Sequence, residues 1–397
     1  MGRKERIVAA TWTFFLFFNI TGSILPHRAL GAEQGPIKIG WTGGLTGALA
    51  QVVQDARQGT AAALEEINAA GGISGRQVEI IYADTKIDPQ LARQAVQRLI
   101  YSDRVVAVIG DYFSPNTVAA MDIAQENKIP MISLASGLTS ITRKQNAFVS
   151  RVVSSTEDMT RVLADYAVKS LHFRRFVVLT SSDAFARDAG DTFAEFVKKI
   201  GGQMVGYEIY DRVTTRDFTN LLLKYKEAPP DAFFLGGAQA DSALIAKQTR
   251  ELGIPTQLLG SFPVSKPPYY KIGGAVTQGT ITVANYIGRA ANLDKYGESS
   301  TKAFVKKWKA KFGDLPSDDH AYGYDTMKIL ALALERAGTT DGSSVQKAIL
   351  SIRNYQGAVG TIHMVPNGDA IIPLYILRWQ ADGNLSVLQK DVSGKQP

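Results

Sequence analysis

Short apolar runs alternate with helix-like stretches along most of this 397-residue chain, and this alternation constrains the fold more than any other feature. Parallel strands need a crossover between them, so a strand–helix–strand alternation predicts a mostly parallel sheet. The predicted strands cover residues 37–41, 78–82, 105–109, 131–134, 176–179, 204–210, 232–235, 375–379 and 385–388. The sequence therefore predicts an α/β protein.

Stretches with apolar residues at helical spacing lie between and after these runs. They cover residues 58–70, 89–102, 114–127, 155–171, 185–200, 218–226, 241–252, 299–312, 321–337 and 343–352. A second series of strands and helices starts near Ser155, so two doubly wound α/β lobes are predicted. A Pro- and Gly-rich stretch, residues 261–279, is predicted to be irregular.

Composition excludes several functional classes. Cysteine is absent, which excludes disulfides, thiolate metal sites and cysteine nucleophiles. The first 32 residues contribute +3 of the net charge of +7, and the remaining Lys and Arg residues are scattered. Because nucleic-acid binding needs basic residues clustered on one face, we expect no nucleic-acid partner.

The first 31 residues are organised like a secretory signal peptide. A basic MGRKER segment precedes an apolar run, residues 7–18, and small residues follow near the end. We expect cleavage near Gly31 or Ala32 and a periplasmic location, with an uncleaved membrane anchor as the alternative. No later segment has 18 apolar residues in a row, so no other membrane span is predicted.

Sequence motifs for catalysis and metal binding are missing. The histidines (His27, His172, His320 and His363) are too far apart in sequence for a local metal motif. The chain has no GxSxG, HExxH or GxxxxGK[ST] motif, and the GWTGGLTG run departs from the dinucleotide fingerprint. We therefore expect no enzymatic activity, no cofactor and no metal.

Two strand-to-helix loops are candidate anion sites. Ser114 precedes Pro115, which predicts Ser114 as an N-cap and Pro115 as the first helical residue. The next loop, residues 135–140, offers backbone N–H groups and hydroxyls. Both loops lie at the carboxyl ends of strands, which is where ligands bind in open α/β sheets. Together they predict a carboxylate clamp. Helix capping alone is the alternative role for Ser114.

Several segments match one known family. They are IKIGWTGGLTGALA, GTAAALEEINAAGGISGRQVEIIYADTKIDPQLARQAVQRLI, VVAVIGDYFSPNT, IPMISLASGLTSIT, DFTNLLLKYKEAPPDAFFLGG, TRELGIPTQLLG and HAYGYDTMKILALALERAG. From about Pro36 onward, the chain resembles the periplasmic solute-binding proteins of the branched-chain amino acid (Leu/Ile/Val) type of ABC transporter. The resemblance implies a type I binding protein, in which hinge closure traps a ligand between two Rossmann-like lobes joined by three crossing strands.

The resemblance also implies an organisation and partners. Lobe 1 would comprise residues 36–151 and 286–361, and lobe 2 residues 152–285 and 362–397. The crossings are expected near residues 151–154, 283–286 and 361–366. The partners would be a small-molecule ligand and the permease subunits of an ABC importer, with the chain itself monomeric. A sensory module that presents the liganded form to a membrane receptor is an alternative.

Carried over residue by residue, the resemblance implies a binding site. Ser114 matches the serine that binds the ligand carboxylate, followed by the backbone of Ala135 and Ser136. Gly137 stands where amino-acid binders have a threonine, with Ser136 or Thr139 as substitutes. Phe262 stands where the amino-acid binders of the family have an acidic residue that holds the ligand ammonium. Aromatic positions of the family correspond to Phe185, Ala238 and Val52, and its paired cysteines to Ile87 and Phe113.

These departures predict the ligand class. Burying an ammonium without a counter-charge costs several kcal/mol, whereas Phe262, Phe185, Phe113 and Tyr112 offer stacking surface. We therefore expect a small carboxylate with an apolar or aromatic body. A branched-chain or other amino acid is the alternative, if Asp183 or Asp111 turns inward to hold an ammonium.

Overall fold

The computed structural model describes Gly2 and residues 35–47, 50–143 and 147–391, so the predicted signal peptide lies almost wholly outside the described residues. Within these ranges no helix is both long and apolar enough to cross a membrane. The strands are β1 (Ile37–Gly43), β2 (Val78–Asp84), β3 (Ala107–Ile109), β4 (Met131–Ser133), β5 (Val149–Arg151), β6 (Arg175–Ser181), β7 (Gln203–Tyr210), β8 (Ala232–Leu235), β9 (Gln257–Gly260), β10 (Ile281–Ala284), β11 (Tyr355–Gly357), β12 (Gly360–Met364), β13 (Ala370–Ile371), β14 (Leu374–Trp379) and β15 (Leu385–Asp391).

Helices connect most of these strands. They are α1 (Ala50–Ala69), α2 (Pro89–Tyr101), α3 (Ser114–Glu126), α4 (Ser140–Arg143), α5 (Thr156–Asp165), α6 (Ala184–Lys199), α7 (Thr219–Leu223), α8 (Gln239–Glu251), α9 (Pro267–Gly273), α10 (Leu293–Tyr296), α11 (Ser299–Phe312), α12 (Asp318–Ala337) and α13 (Gly342–Leu350).

The first sheet has five parallel strands in the order β2-β1-β3-β4-β5. We call this sheet and the helices packed on it lobe 1. Helix α12 belongs to lobe 1, because it crosses α1 so closely that a Cβ at Gly59 would lie 2.0 Å from the His320 carbonyl oxygen. Glycine is therefore required at this crossing, and α12 is held firmly against lobe 1.

The second sheet has seven strands in the order β15-β14-β10-β9-β8-β6-β7. The neighbouring strands β7, β6, β8, β9 and β10 are parallel to one another. Strands β14 and β15 pair antiparallel at the other edge of the sheet. Stacked rings of Phe193 and Phe234, 4.1 Å apart, lie in its core. We call this sheet and its helices lobe 2, and the predicted two-lobed α/β fold is confirmed.

Two local predictions differ from the structure. The predicted third crossing, residues 361–366, overlaps β12, which pairs with β11 and β13 in a separate small sheet. After β13, the chain returns to the lobe 2 sheet at Leu374, where β14 begins. The lobe boundaries 151/152, 285/286 and 361/362 stay predictions.

The stretch predicted to be irregular is largely helical. It contains a 3₁₀ turn (Phe262–Ser265), α9 and a second 3₁₀ turn (Gly274–Thr277). Its prolines stand in first turns, where a missing N–H breaks no helical hydrogen bond. The Trp379 indole N–H donates to the Val264 carbonyl at 2.8 Å and anchors the stretch to lobe 2.

Candidate ligand site between the lobes

A pocket of about 200 Å³ lies between the two lobes. The loops that line it follow β2, β3 and β4 in lobe 1 and β6, β7, β8 and β9 in lobe 2, as expected for the carboxyl ends of parallel strands. The lining residues are Val52, Ile87, Tyr112, Phe113, Ser114, Pro115, Asn116, Ala135, Asp183, Phe185, Ala186, Arg212, Ala238, Gln239, Phe262, Pro263 and Lys266.

Most of the predicted site residues are brought together by this pocket. They are Val52, Tyr112, Phe113, Ser114, Ala135, Asp183, Phe185, Ala238 and Phe262. The aromatic rings form much of the wall, and the Tyr112 and Phe113 rings lie 5.1 Å apart. That these residues contact a ligand stays a prediction.

Ser136, Gly137 and Thr139 do not line the pocket. The Ser136 N–H donates to Ser133 Oγ at 3.1 Å, and the Thr139 N–H donates to the Asp188 carboxylate at 3.0 Å. These amides are already hydrogen-bonded inside the protein, so the expected contribution of Ser136 and Thr139 to a carboxylate clamp is not supported by their geometry.

Ser114 lies in the pocket, but it is not an N-cap as predicted. Helix α3 begins at Ser114 itself, and Phe113 at the N-cap makes no side-chain hydrogen bond to the helix. Ser114 Oγ accepts the Leu138 N–H at 3.3 Å, and its own hydroxyl proton has no acceptor among the described residues. An uncapped helix N-terminus and a free hydroxyl donor therefore meet at the pocket wall, an arrangement that attracts an anion.

The Phe185 ring packs against Gly137, where a larger side chain would not fit. A Cβ at position 137 would lie 3.3 Å from Phe185 Cε2 and 3.3 Å from Thr156 Oγ1. The Phe185 ring of lobe 2 thus fills the space that a larger side chain of lobe 1 would need. Only Gly137 departs from the family pattern here, since Phe185 corresponds to an aromatic position of the family.

The two acidic residues considered for an ammonium behave differently. Asp111 is fully buried, and it accepts hydrogen bonds from the Tyr112 and Phe113 N–H groups and from Thr85. Asp111 does not line the pocket, so the alternative in which its carboxylate holds a ligand ammonium is not supported by the structure. Asp183 does line the pocket, but it also caps α6 by accepting the Ala186 N–H at 3.1 Å.

Sequence reasoning missed two cations in the pocket wall, Arg212 and Lys266. Arg212 is partly exposed and lies 3.6 Å from Asp183. Lys266 is buried, and its ammonium lies 4.6 Å from the centre of the Phe262 ring. Burial alone would lower the pKa of Lys266, but the attraction of Asp318 and Asp319 outweighs it and raises that pKa. Asp319 is 53 residues away in sequence, so no local pattern signals this cluster.

The histidines of the described ranges form no metal site. Within those ranges, no group of three or more His, Asp or Glu side chains could hold a metal ion. His320 instead completes a capping box at the start of α12, where its Nδ1 accepts the Ser317 N–H at 3.0 Å. Its Nε2 lies 2.9 Å from Gln58 Oε1 of α1.

Two α/β lobes with a ligand-sized pocket between them define a two-lobed binding protein. The family model described as "periplasmic binding protein" matches residues 36–384. The chain therefore belongs to the periplasmic binding protein family, and it is a solute-binding protein.

Individual relatives agree with this assignment. The chain is 28% identical to Leu/Ile/Val-binding protein homolog 3 of Brucella melitensis, over 90% of this chain and 95% of that protein. It is similar to a leucine-binding protein from Thermotoga maritima, with a TM-score of 0.82 and 29% identity over 89% of this chain and 98% of the other. A solute-binding protein from Rhodopseudomonas palustris, solved with 3,4-dihydroxybenzoic acid, shares the fold with a TM-score of 0.79 and 24% identity over 91% of this chain and 99% of the other.

Proposed function

We propose that this protein captures a small carboxylate with an apolar or aromatic body between its lobes and delivers it to the permease of an ABC importer. The proposal rests on one observation: one wall of the pocket offers hydrogen-bond donors, and the other is apolar. The uncapped N-terminus of α3 and the Ser114 hydroxyl offer hydrogen-bond donors at one wall. The rings of Phe262 and Phe185 contribute apolar surface from lobe 2.

Near its aromatic wall, the pocket offers a ligand ammonium no free carboxylate among the described residues. Both lining cations are ion-paired, Arg212 with Asp183 and Lys266 with Asp318 and Asp319. An ammonium bound near Phe262 would meet only carboxylates that Lys266 already holds. Since an unpaired buried charge is expensive, this wall disfavours a ligand ammonium.

A branched-chain amino acid is the second candidate ligand. Two observations favour it: the relatives are named Leu/Ile/Val-binding proteins, and Asp183 faces the pocket with its side chain 30% exposed. An ammonium could approach Asp183 while the α6 cap is kept. In this reading the ligand carboxylate still lies at Ser114.

The same proposal places the protein in the periplasm after removal of residues 1–31, acting as a binding protein without catalysis. Periplasmic capture is the role from which the family takes its name. The permease would recognise the closed, liganded form, because ligand binding shifts the protein from the open to the closed conformation.

Thermal denaturation with a ligand panel tests the proposal. The panel contains benzoate, phenylacetate and hexanoate as acids, and leucine, isoleucine, valine and phenylalanine as amino acids. A ligand at 100 times its Kd stabilises the folded state by about 2.7 kcal/mol. We expect a rise in Tm with one or more of the acids, and stabilisation by amino acids alone would refute the proposed ligand class.

The variant Asp183→Ser separates the two candidate ligands. Serine is also a good N-cap, so the variant keeps α6 capped while removing the carboxylate. Carboxylate binding is expected to survive. If binding of leucine is lost in the variant, Asp183 is an ammonium site and the amino-acid reading is correct.

A further inference from the structure

Lys266 lies at the centre of a buried ionic cluster. Its Nζ is 2.7 Å from the Asp318 carboxylate and 2.6 Å from the Asp319 carboxylate. The side chains of Lys266 and Asp319 are each 2% exposed, and that of Asp318 is 12% exposed. One cation therefore pairs with two neighbouring carboxylates and offsets one of their two negative charges, and none of the three can exchange its partner for bulk water without moving.

The members of this cluster belong to different lobes. Lys266 comes directly after the 3₁₀ turn that follows β9, and this segment is tied to lobe 2 through the Trp379–Val264 hydrogen bond. Asp318 and Asp319 begin α12 of lobe 1, whose start is fixed to α1 by a hydrogen bond from Ser317 Oγ to Asp55 at 2.9 Å. Any motion that separates the Lys266 segment from the start of α12 must break both ion pairs.

The cluster also makes a hydrogen bond to a residue that lines the ligand pocket. The Tyr112 hydroxyl donates to Asp319 at 2.7 Å, and Tyr112 lines the pocket. On the other side lies a second cavity of about 240 Å³, whose lining includes Ser265, Pro267 and Asp318. The ion pairs thus form a partition between two cavities, and they are a point where the lobes touch directly.

We propose that Lys266, Asp318 and Asp319 form an interlobe clasp that closes the cleft and fixes Tyr112 in the pocket wall. The clasp rests on the proposed capture of a solute by closure, and it acts on affinity by holding the two lobes together. Lys266 is in this sense a positioning residue. Without its charge, closure would bury two like charges next to each other with no cation, whereas the open form leaves them in water.

Removing the cation should shift the unliganded protein toward the open form. The chain has no cysteine, so Gln51→Cys in lobe 1 and Val213→Cys in lobe 2 allow clean spin labelling at exposed positions beside the pocket residues Val52 and Arg212. Pulsed electron spin resonance then measures the interlobe distance without any ligand. We expect a short-distance population in the parent, and Lys266→Met should move at least about half of it to longer distances.

Lys247→Met is the matched control, because Lys247 makes only an exposed ion pair with Glu251 within α8 of lobe 2. It should leave the distances unchanged. If Lys266→Met fails to fold by circular dichroism, the double variant Asp318→Asn, Asp319→Asn removes the same ion pairs and should give the same shift. Unchanged distances in a folded clasp variant, or a parent with no short-distance population, would overturn the proposal. Because no ligand is added, this result is independent of whether an acid binds.

Discussion

At the scale of single residues, Ser114 combines a hydrogen bond within the fold with a hydroxyl proton that is available to the proposed ligand. It begins α3 without capping it, and its oxygen accepts the Leu138 N–H of the neighbouring loop while its proton stays available. A hydroxyl in this position can hold two partners at once, one as acceptor and one as donor. Ser114 therefore does not have the helix-capping role that its place before Pro115 suggests, and its hydroxyl proton is available to the proposed ligand carboxylate.

Ser114→Ala should weaken acid binding while the fold survives. A hydrogen bond to a charged group contributes about 1.5–3 kcal/mol, so we expect a loss of one to two orders of magnitude in affinity, measured by calorimetry. The matched control is Ser299→Ala, since Ser299 is the exposed first residue of α11, outside the pocket lining. Equal affinity of Ser114→Ala and the parent would confine Ser114 to a structural role.

Gly137→Thr should reduce the affinity for an aromatic or apolar acid by roughly tenfold or more, because a misfit of this kind costs about 1–3 kcal/mol. The new side chain would enter the space of the Phe185 ring, which lies 3.3 Å from the position of its Cβ. Adding Phe185→Ala should relieve the clash and expose the threonine hydroxyl to the pocket. Titration of single and double variants measures this coupling, and additive effects would show that the two positions are independent.

At the scale of elements, the loop between β4 and α4 is held by a buried ionic network. Arg151, fully buried at the end of β5, donates to the Leu138 carbonyl at 2.8 Å and to Asp369 Oδ1 at 2.7 Å. Asp369 lies in the turn between β12 and β13, so this network joins segments that are distant in sequence. It orients the loop that carries Ala135 into the pocket.

Asp369→Asn should destabilise the protein by about 3–5 kcal/mol, since it leaves the Arg151 charge buried without its counter-ion. Burial alone would raise the pKa of Asp369, but the attraction of Arg151 and hydrogen bonds from Thr142, Arg143 and Arg151 outweigh it and lower that pKa. A lowered pKa stabilises the fold above the ordinary pKa of 3.8, and this contribution is lost as the pH falls through the folded-state value.

Urea unfolding between pH 3 and 7 measures this effect. The parent should lose more stability on acidification than Asp369→Asn, which has no carboxylate to protonate there. Asp122→Asn serves as the control, because Asp122 is an exposed residue within α3 and takes no part in the Arg151–Asp369 network. A parent and variant that respond equally to acid would contradict the role given to Asp369.

At the scale of the whole molecule, the alternation of strands and helices was sufficient to predict two α/β lobes. Strand positions such as β8 agree with the prediction to the residue, because a buried parallel strand is a continuous apolar run. Helix α1 begins at Ala50, earlier than the predicted residue 58, and the stretch 261–279 is more helical than its prolines and glycines suggest. Local composition identifies where elements lie, but neighbouring elements decide how far they extend.

The sequence by itself determined the fold class, the place of the pocket at the ends of the strands, and most of its lining, because these follow from periodicity and from residues that match a family. Only the tertiary structure decided which groups are available for a ligand. It buried Asp111, engaged the amides of Ser136 and Thr139, and brought Lys266 to Asp318 and Asp319 across the lobes. Hydrogen bonds and ion pairs between segments far apart in the chain depend on three-dimensional proximity, which no local pattern of residues encodes.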